Sequence, residues 1–301
     1  MRATANSYRW RAACALTALL LCTPITFAQK GDDEASKYPA KPLTERDARR
    51  AEVEAAYRQM RSEPGVAERV IYGNDDRRDW YQILPGETVI QSLEQAVCVV
   101  VTTSEVTDNG DGTYTLSTVN WTSVGGSPVC TSERFYNQRT IGFCSGFLVG
   151  NDLIATAGHC VDSFDCGSTA FVFGFDQQSA TVGPDIVVPA DNVYFCAGIV
   201  DQVQAGDLDH SVVQVDRPVV GRTPVPIRRS GVVSNGDPLV MIGHPVTLPK
   251  KVDDGAVVKN ANGSVGWFNA NLDAYGGNSG SMVANLNTGV VEGILVRGNT
   301  D

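Results

Sequence analysis

The sequence predicts an all-β fold over its last two-thirds, and three observations carry that expectation. Thirty glycines stand against four methionines in 301 residues, a balance that suits many turns and short strands. From Glu87 onward, β-branched and aromatic runs recur at 97–101, 114–119, 171–173 and 212–215. Clusters of Gly, Pro, Asn and Asp separate these runs, as turns separate strands. With 43% apolar and 19% charged residues, the chain can build a core and is neither disordered nor a coiled coil.

The net charge is −10, and it divides the chain into three zones. Residues 1–28 carry three arginines and no acid, residues 29–86 are nearly balanced at −1, and residues 87–301 carry −12. An acidic body of this kind lacks the basic face that nucleic-acid or polybasic membrane-surface binding requires. Neither partner is expected.

The first zone has the layout of an export signal. Arg2, Arg9 and Arg11 precede an apolar run over residues 12–21, and Thr26-Phe27-Ala28 ends in a small residue suited to cleavage after Ala28. The run is too short to span a bilayer. Leu21 is too bulky to precede a lipidated Cys22. The expected product is a secreted protein, extracellular or periplasmic, with no membrane attachment after signal cleavage. Six cysteines then remain, at 98, 130, 144, 160, 166 and 196. In an oxidising compartment they imply disulfides, with 15 possible full pairings. None forms a C-x-x-C pair, which disfavours zinc or redox chemistry, and no metal or other cofactor is called for.

The second zone, 29–86, reads as a pro-segment. Pro39 and Pro42 mark a flexible start; Thr44 and Asp47 form a capping-box pattern ahead of a charged helix to about Arg61, and Pro64-Gly65 ends it. Such a helix has no broad apolar face and would be marginal alone. Arg77-Arg78 is one of several sites a protease could cut.

In the third zone, Asp108-Asn109-Gly110-Asp111-Gly112 lacks the spacing and terminal glutamate of a calcium loop, so a hairpin turn is expected. The chain has three histidines. His159 follows an apolar stretch ending in small residues, Ala155-Thr156-Ala157-Gly158. Ser279 lies between glycines in Gly276-Gly277-Asn278-Ser279-Gly280-Ser281, where the backbone can turn tightly and bring N–H groups to a reacting carbonyl. Between them, Asp207-Leu208-Asp209-His210-Ser211 leads into a strand.

In the order His, Asp, Ser these pieces resemble the chymotrypsin-like (trypsin-like) serine peptidases, specifically their bacterial trypsin-like and glutamyl-endopeptidase-like branch. The resemblance spans about residues 87–301. It implies a double β-barrel, with the barrels meeting near 216–228, and a monomeric endopeptidase acting on protein or peptide substrates. Its catalytic residues would be His159, Asp209 and Ser279, with the N–H groups of Gly277 and Ser279 as the oxyanion hole. Asp207 is the rival to Asp209, His210 is expected at the surface, and His244 as a hydrogen-bonded histidine of the second barrel. The family pairing implies a Cys144–Cys160 disulfide; Cys98–Cys130 and Cys166–Cys196 are the remaining local pairings. Asp273, six residues before Ser279, stands where trypsin-like members place the carboxylate of the primary pocket, which favours Arg or Lys before the cut. Leu295 stands where glutamyl endopeptidases use a pocket histidine, which counts against Glu specificity, and Arg297 nearby could neutralise Asp273 or attract acidic side chains. Asn278 replaces the aspartate that in animal enzymes pairs with a new N-terminus, so activation through that ion pair is not expected. Relatives continue beyond the strand that ends at Gly298, with more sheet and a C-terminal helix. An inactive protease-fold binding module and an esterase using the same triad are the competing functions.

Overall fold

The computed structural model describes residues 10–13, 69–72, 75–124, 127–262 and 266–298. The expected signal cleavage site at Ala28 and the helix from Thr44 lie outside the described residues. In chain order the strands that build the body are β1 (Trp10–Ala13), β2 (Arg69–Val70), β3 (Arg78–Asp79), β4 (Val97–Thr102), β5 (Val106–Asp108) and β6 (Thr113–Leu116). They continue with β7 (Cys144–Gly150), β8 (Leu153–Thr156), β9 (Thr169–Phe173), β10 (Val193–Ala205) and β11 (Leu208–Val215). The remaining strands are β12 (Pro238–Gly243), β13 (Lys251–Asn260), β14 (Trp267–Ala270), β15 (Ala274–Tyr275), β16 (Met282–Asn285) and β17 (Val291–Arg297).

Six of these close into the first barrel in the order β7, β8, β11, β10, β9, β4. The β4 run shows why its sequence lacks polar alternation. Cys98 and Val100 join one apolar cluster with Phe147, Phe171 and Phe173. Val99 and Val101 join a second one with Leu116, Val172 and Val188. Both faces of the strand are buried, so both are apolar. The expected hairpin is present: β5 and β6 pair antiparallel, with Asp108 opposite Tyr114, and Gly110 turns at φ 76°.

The second barrel runs β12, β16, β17, β1, β14, β13, and a β12–β13 pairing brings the sheet back onto itself, with β3 along the far edge of β13. The change of sheet falls between Val215 and Pro238. Trp10–Ala13, inside the expected export signal, pairs antiparallel with both β14 and β17. One apolar cluster spans the two barrels, joining Phe147, Ile154 and Val213 to Val240, Ile242, Met282 and Ile294. Removal of these side chains from water is the main force holding the barrels in fixed relation.

Of the expected pro-segment, residues 69–72 and 75–86 are built into the second barrel. β2 pairs with β15 and β3 with β13. Arg77 is fully buried; it forms an ion pair with Asp75 at 2.7 Å and lies over the Tyr275 ring, 3.9 Å from its centroid. Asp79 meets the buried Lys251 ammonium at 2.7 Å. The carboxylate of Asp273 accepts the N–H groups of Tyr72 at 2.7 Å and Asp76 at 3.0 Å. Removal of all of 29–86 would therefore strip a buried guanidinium, a buried carboxylate and the edge strand β3 from this barrel, and would take β2 away from β15.

Two of the three expected disulfides are present, Cys144–Cys160 and Cys166–Cys196. The third pairing is corrected: Cys98 is a buried free thiol on β4, and Cys130 is a free thiol at the surface. Alternation on β4 turns Cys98 into the barrel core, out of reach of the loop that carries Cys130. Burial pushes the Cys98 thiol well above its usual range, which suppresses thiolate chemistry there.

Two stability measurements follow. Arg77→Ala leaves Asp75 without its buried partner, and urea unfolding should show a loss of about 3 kcal/mol, the lower end for a broken buried pair because Arg134 also faces Asp75. The second concerns Asp253, whose carboxylate accepts the Asp273 N–H at 2.7 Å. Burial, with the Asp273 charge beside it, raises its pKa from 3.8 to about 7. The folded state therefore holds a proton that the unfolded chain has released, and stability falls as pH rises from about 4 to 7. In Asp253→Asn the share of that decline due to Asp253 should be absent, while Asp273, which burial also raises, keeps its own; the variant should be more stable than the parent at pH 8. Burial lowers His244 to about 3, which gives the opposite slope, but this is common to both proteins and cancels in their difference.

Candidate active site

The first barrel carries His159, the expected base. β8 and β11 pair antiparallel with Thr156 opposite Ser211, so the residues just beyond β8 run beside the start of β11. Gly158 permits the approach: a Cβ there would lie 2.3 Å from the Val203 carbonyl oxygen and 2.9 Å from the His210 nitrogen. His159 then meets Asp209 twice. Its N–H donates to Asp209 Oδ1 at 3.0 Å, and its ring Nδ1 lies 2.8 Å from Oδ2. Asp209 is buried while the His159 ring remains about one-third exposed. Burial alone would raise the Asp209 carboxyl. The hydrogen bonds from His159, together with the charge of Arg297, hold it below its usual value instead. A carboxylate that stays ionised and bonded to Nδ1–H leaves Nε2 as the basic nitrogen of the ring.

Asp207, the rival, is exposed, and Asp209 takes both His159 contacts. The expectation for His210 is corrected. It is buried, with Nε2 3.0 Å from Asp201 Oδ2; Asp201 on β10 stands opposite Val212, which makes it a diagonal neighbour of His210 across the strand pair. His244 is buried in the second barrel and held through Nδ1 to the Leu248 carbonyl oxygen at 2.9 Å.

The second barrel carries the loop with Ser279, the expected nucleophile, between β15 and β16. The Ser279 carbonyl oxygen accepts the Ser145 N–H at 2.8 Å and lies 3.7 Å from Cys160 Sγ, which seats the loop beside the His159 turn. The Asn278 N–H donates to the Tyr275 carbonyl, the Asn278 carbonyl accepts the Ser281 N–H at 2.8 Å, and Asn278 Oδ1 accepts the Ser281 hydroxyl at 3.0 Å. Among the described residues, the N–H groups of Gly277 and Ser279 have no acceptor. These are the two groups expected to form the oxyanion hole. In a loop this well tied down, two free donors on either side of one residue are what a developing oxyanion requires.

The expected pocket residues are dispersed. Asp273 is buried with its carboxylate on the Tyr72 and Asp76 N–H groups. Leu295 is buried in the second-barrel core with Met241 and Val283. Arg297 does not neutralise Asp273; it donates to the Gly206 carbonyl at 3.1 Å and stands 4.0 Å from Asp209 Oδ2. Asp273 has Arg77 as its neighbouring cation. That arginine stood in the sequence as half of a dibasic site, and only its burial shows what it does. Ser145, which contacts the nucleophile loop at two points, carried no sequence signal beyond lying next to Cys144. Among the described residues, the one group with metal-like spacing is Cys144, His159 and Cys160, and its two sulfurs are bonded to each other.

No curated protein is matched by this sequence. Among solved structures, similarity is found to the Rv3671c protease of M. tuberculosis in its active form, at 14% identity and a TM-score of 0.40, covering 69% of this chain and 73% of that one. The serine endoprotease from Yersinia pestis is similar at 15% identity and a TM-score of 0.43, over 71% of this chain and 58% of that one. A scan of family profiles matches residues 144–294 to the trypsin-like peptidase domain. That span is half of the chain and includes His159, Asp209 and Ser279 with every strand that positions them from β7 to β16. The chain belongs to the trypsin-like peptidase family.

Proposed function

We propose that this protein is a secreted serine endopeptidase that cuts protein or peptide substrates through an acyl-enzyme on Ser279. The observation that carries the reading is the contact between His159 Nδ1 and the buried Asp209 carboxylate at 2.8 Å. A serine hydroxyl is a weak nucleophile near neutral pH and needs a base that takes its proton as it attacks. His159 is that base, and then the acid that protonates the leaving amine. Asp209 fixes the imidazole tautomer and stabilises the imidazolium. The Gly277 and Ser279 N–H groups receive the oxyanion of the tetrahedral intermediate; a single such donor is worth about 2.7–4 kcal/mol of barrier.

Export is supported by the charged and apolar pattern of residues 1–28 and by two disulfides, which suit an oxidising compartment. The Cys144–Cys160 link joins cysteines 16 positions apart around the His159 turn, worth roughly 3 kcal/mol in the loop-entropy view. Asn278 supports placement in the bacterial branch, since an amide bonded to Ser281 supplies no charge for a new N-terminus to pair with.

Preference for Arg or Lys before the cut is the finer part of the reading and rests on Asp273. What supports it is the position of Asp273 six residues before Ser279; its buried carboxylate already accepts two N–H groups, so a substrate cation must compete with the Tyr72–Asp76 segment for it.

Three measurements test these assignments. A serine-directed phosphonylating reagent should label Ser279 and abolish casein hydrolysis, and full-length Ser279→Ala should be inactive. Proteolysis surviving that substitution, or hydrolysis confined to short esters, ends the endopeptidase reading. Asp209→Asn should lower kcat by about 10⁴-fold by presenting the wrong imidazole tautomer. A cleavage profile should favour Arg or Lys and lose that preference in Asp273→Ala; an unchanged profile removes Asp273 from the pocket.

A further inference from the structure

We propose that Ser145 is a positioning residue for the oxyanion hole, acting through its hydroxyl on the loop that carries Gly277 and on the turn that faces it; this rests on the peptidase reading above. Ser145 is the second residue of β7 and is fully buried where the two barrels meet. A serine hydroxyl has one hydrogen to donate and two lone pairs. Here the hydrogen goes to the Gly277 carbonyl oxygen at 3.1 Å, and a lone pair receives the His244 N–H at 2.9 Å. The backbone N–H of the same residue donates to the Ser279 carbonyl at 2.8 Å, and its carbonyl accepts the Thr156 hydroxyl at 2.7 Å. One first-barrel side chain thus joins the nucleophile loop to the end of β12.

The second half of the device is the turn that starts at His244. The Val246 N–H donates to the Gly276 carbonyl oxygen at 2.6 Å. In a trans peptide the C=O and the following N–H point in opposite directions, so this bond turns the Gly277 N–H away from Val246. Val246 and Thr247 take φ of 43° and 57°, left-handed values that branched side chains avoid. Such strain persists only where the surroundings over-determine it, and it gathers at functional sites. The turn and the loop are in contact: a Cβ on Gly277 would lie 3.0 Å from the Thr247 nitrogen and 3.1 Å from the Val246 nitrogen. Ser145 holds the first N–H of the turn and the carbonyl of Gly277 with the same oxygen. The peptide that carries the Gly277 N–H is thus held by Val246, while Ser145 fixes the peptide after it and the start of the turn that bears Val246.

The test is steady-state kinetics of full-length Ser145→Ala on a casein-derived peptide, assayed well below its unfolding temperature. The expected result is a fall in kcat of about 10- to 100-fold, short of the full loss of one oxyanion donor. KM should be unchanged within about twofold, as for an interaction felt mainly in the transition state. A peptide aldehyde, whose hemiacetal oxygen sits in the hole, should lose affinity by the same factor. Ser145→Thr keeps the hydroxyl and should keep kcat within about threefold. This variant decides the matter if alanine prevents folding. A lowered unfolding temperature with parental kcat and aldehyde affinity in Ser145→Ala, or a folded Ser145→Thr as slow as expected for alanine, overturns the proposal. A parent that neither cuts casein nor takes up phosphonate on Ser279 overturns the peptidase reading, and this one with it.

Discussion

The site depends on the apolar core that the two barrels share. His159 and Asp209 belong to the first barrel and Ser279 to the second, so their relation is only as fixed as the packing between them. Phe147, Ile154 and Val213 on one side and Val240, Ile242, Met282 and Ile294 on the other form one buried cluster. Close packing of this kind tolerates little sliding, because even small gaps forfeit dispersion contacts and cavities are costly. Polar bonds then refine what apolar burial holds roughly in place. The Ser145 N–H on the Ser279 carbonyl and the Ser145 hydroxyl between His244 and Gly277 are two of the direct polar ties across that seam.

Charge is handled differently on its two sides. In the first barrel, Asp209 is buried yet kept ionised, because His159 supplies two donors and Arg297 a nearby positive charge. In the second, Asp253 and Asp273 are buried close together, and burial raises both carboxyls. The first arrangement suits orienting an imidazole. The second anchors the segment around Tyr72 and Asp76 to the loop that leads to Ser279. The N-terminal segment is thereby coupled to the nucleophile loop through Asp273 and through the stacking of Arg77 on Tyr275.

Much of the fold was legible because burial leaves a local record. The β4 run and the strand following Asp209 read as strands from their branched residues alone, and the 108–112 turn from its Asn-Gly and Asp-Gly pairs. The Cys144–Cys160 bridge was legible through the family resemblance. Cys98 and Cys130 were not, since proximity in sequence says nothing of which way a side chain points from a strand. The roles of His210, Arg77 and Leu295 were hidden for the same reason. His210 looked like a surface neighbour of Asp209 and is buried on Asp201; Arg77 looked like half of a cleavage site and is fully buried.

By itself the sequence determined which residue types the candidate site offers and their order along the chain, because a histidine, a carboxylate and a serine in that order are legible without the fold. It also determined that strands would form, since branched and apolar runs between turn residues have few other ways to bury themselves. Only the tertiary structure decided which aspartate meets His159, which cysteines pair and where Asp273 directs its charge. It also decided that the Gly277 and Ser279 N–H groups stay free. Those outcomes depend on approaches of about 3 Å between residues tens to hundreds of positions apart, and local chemistry does not encode distance across a fold.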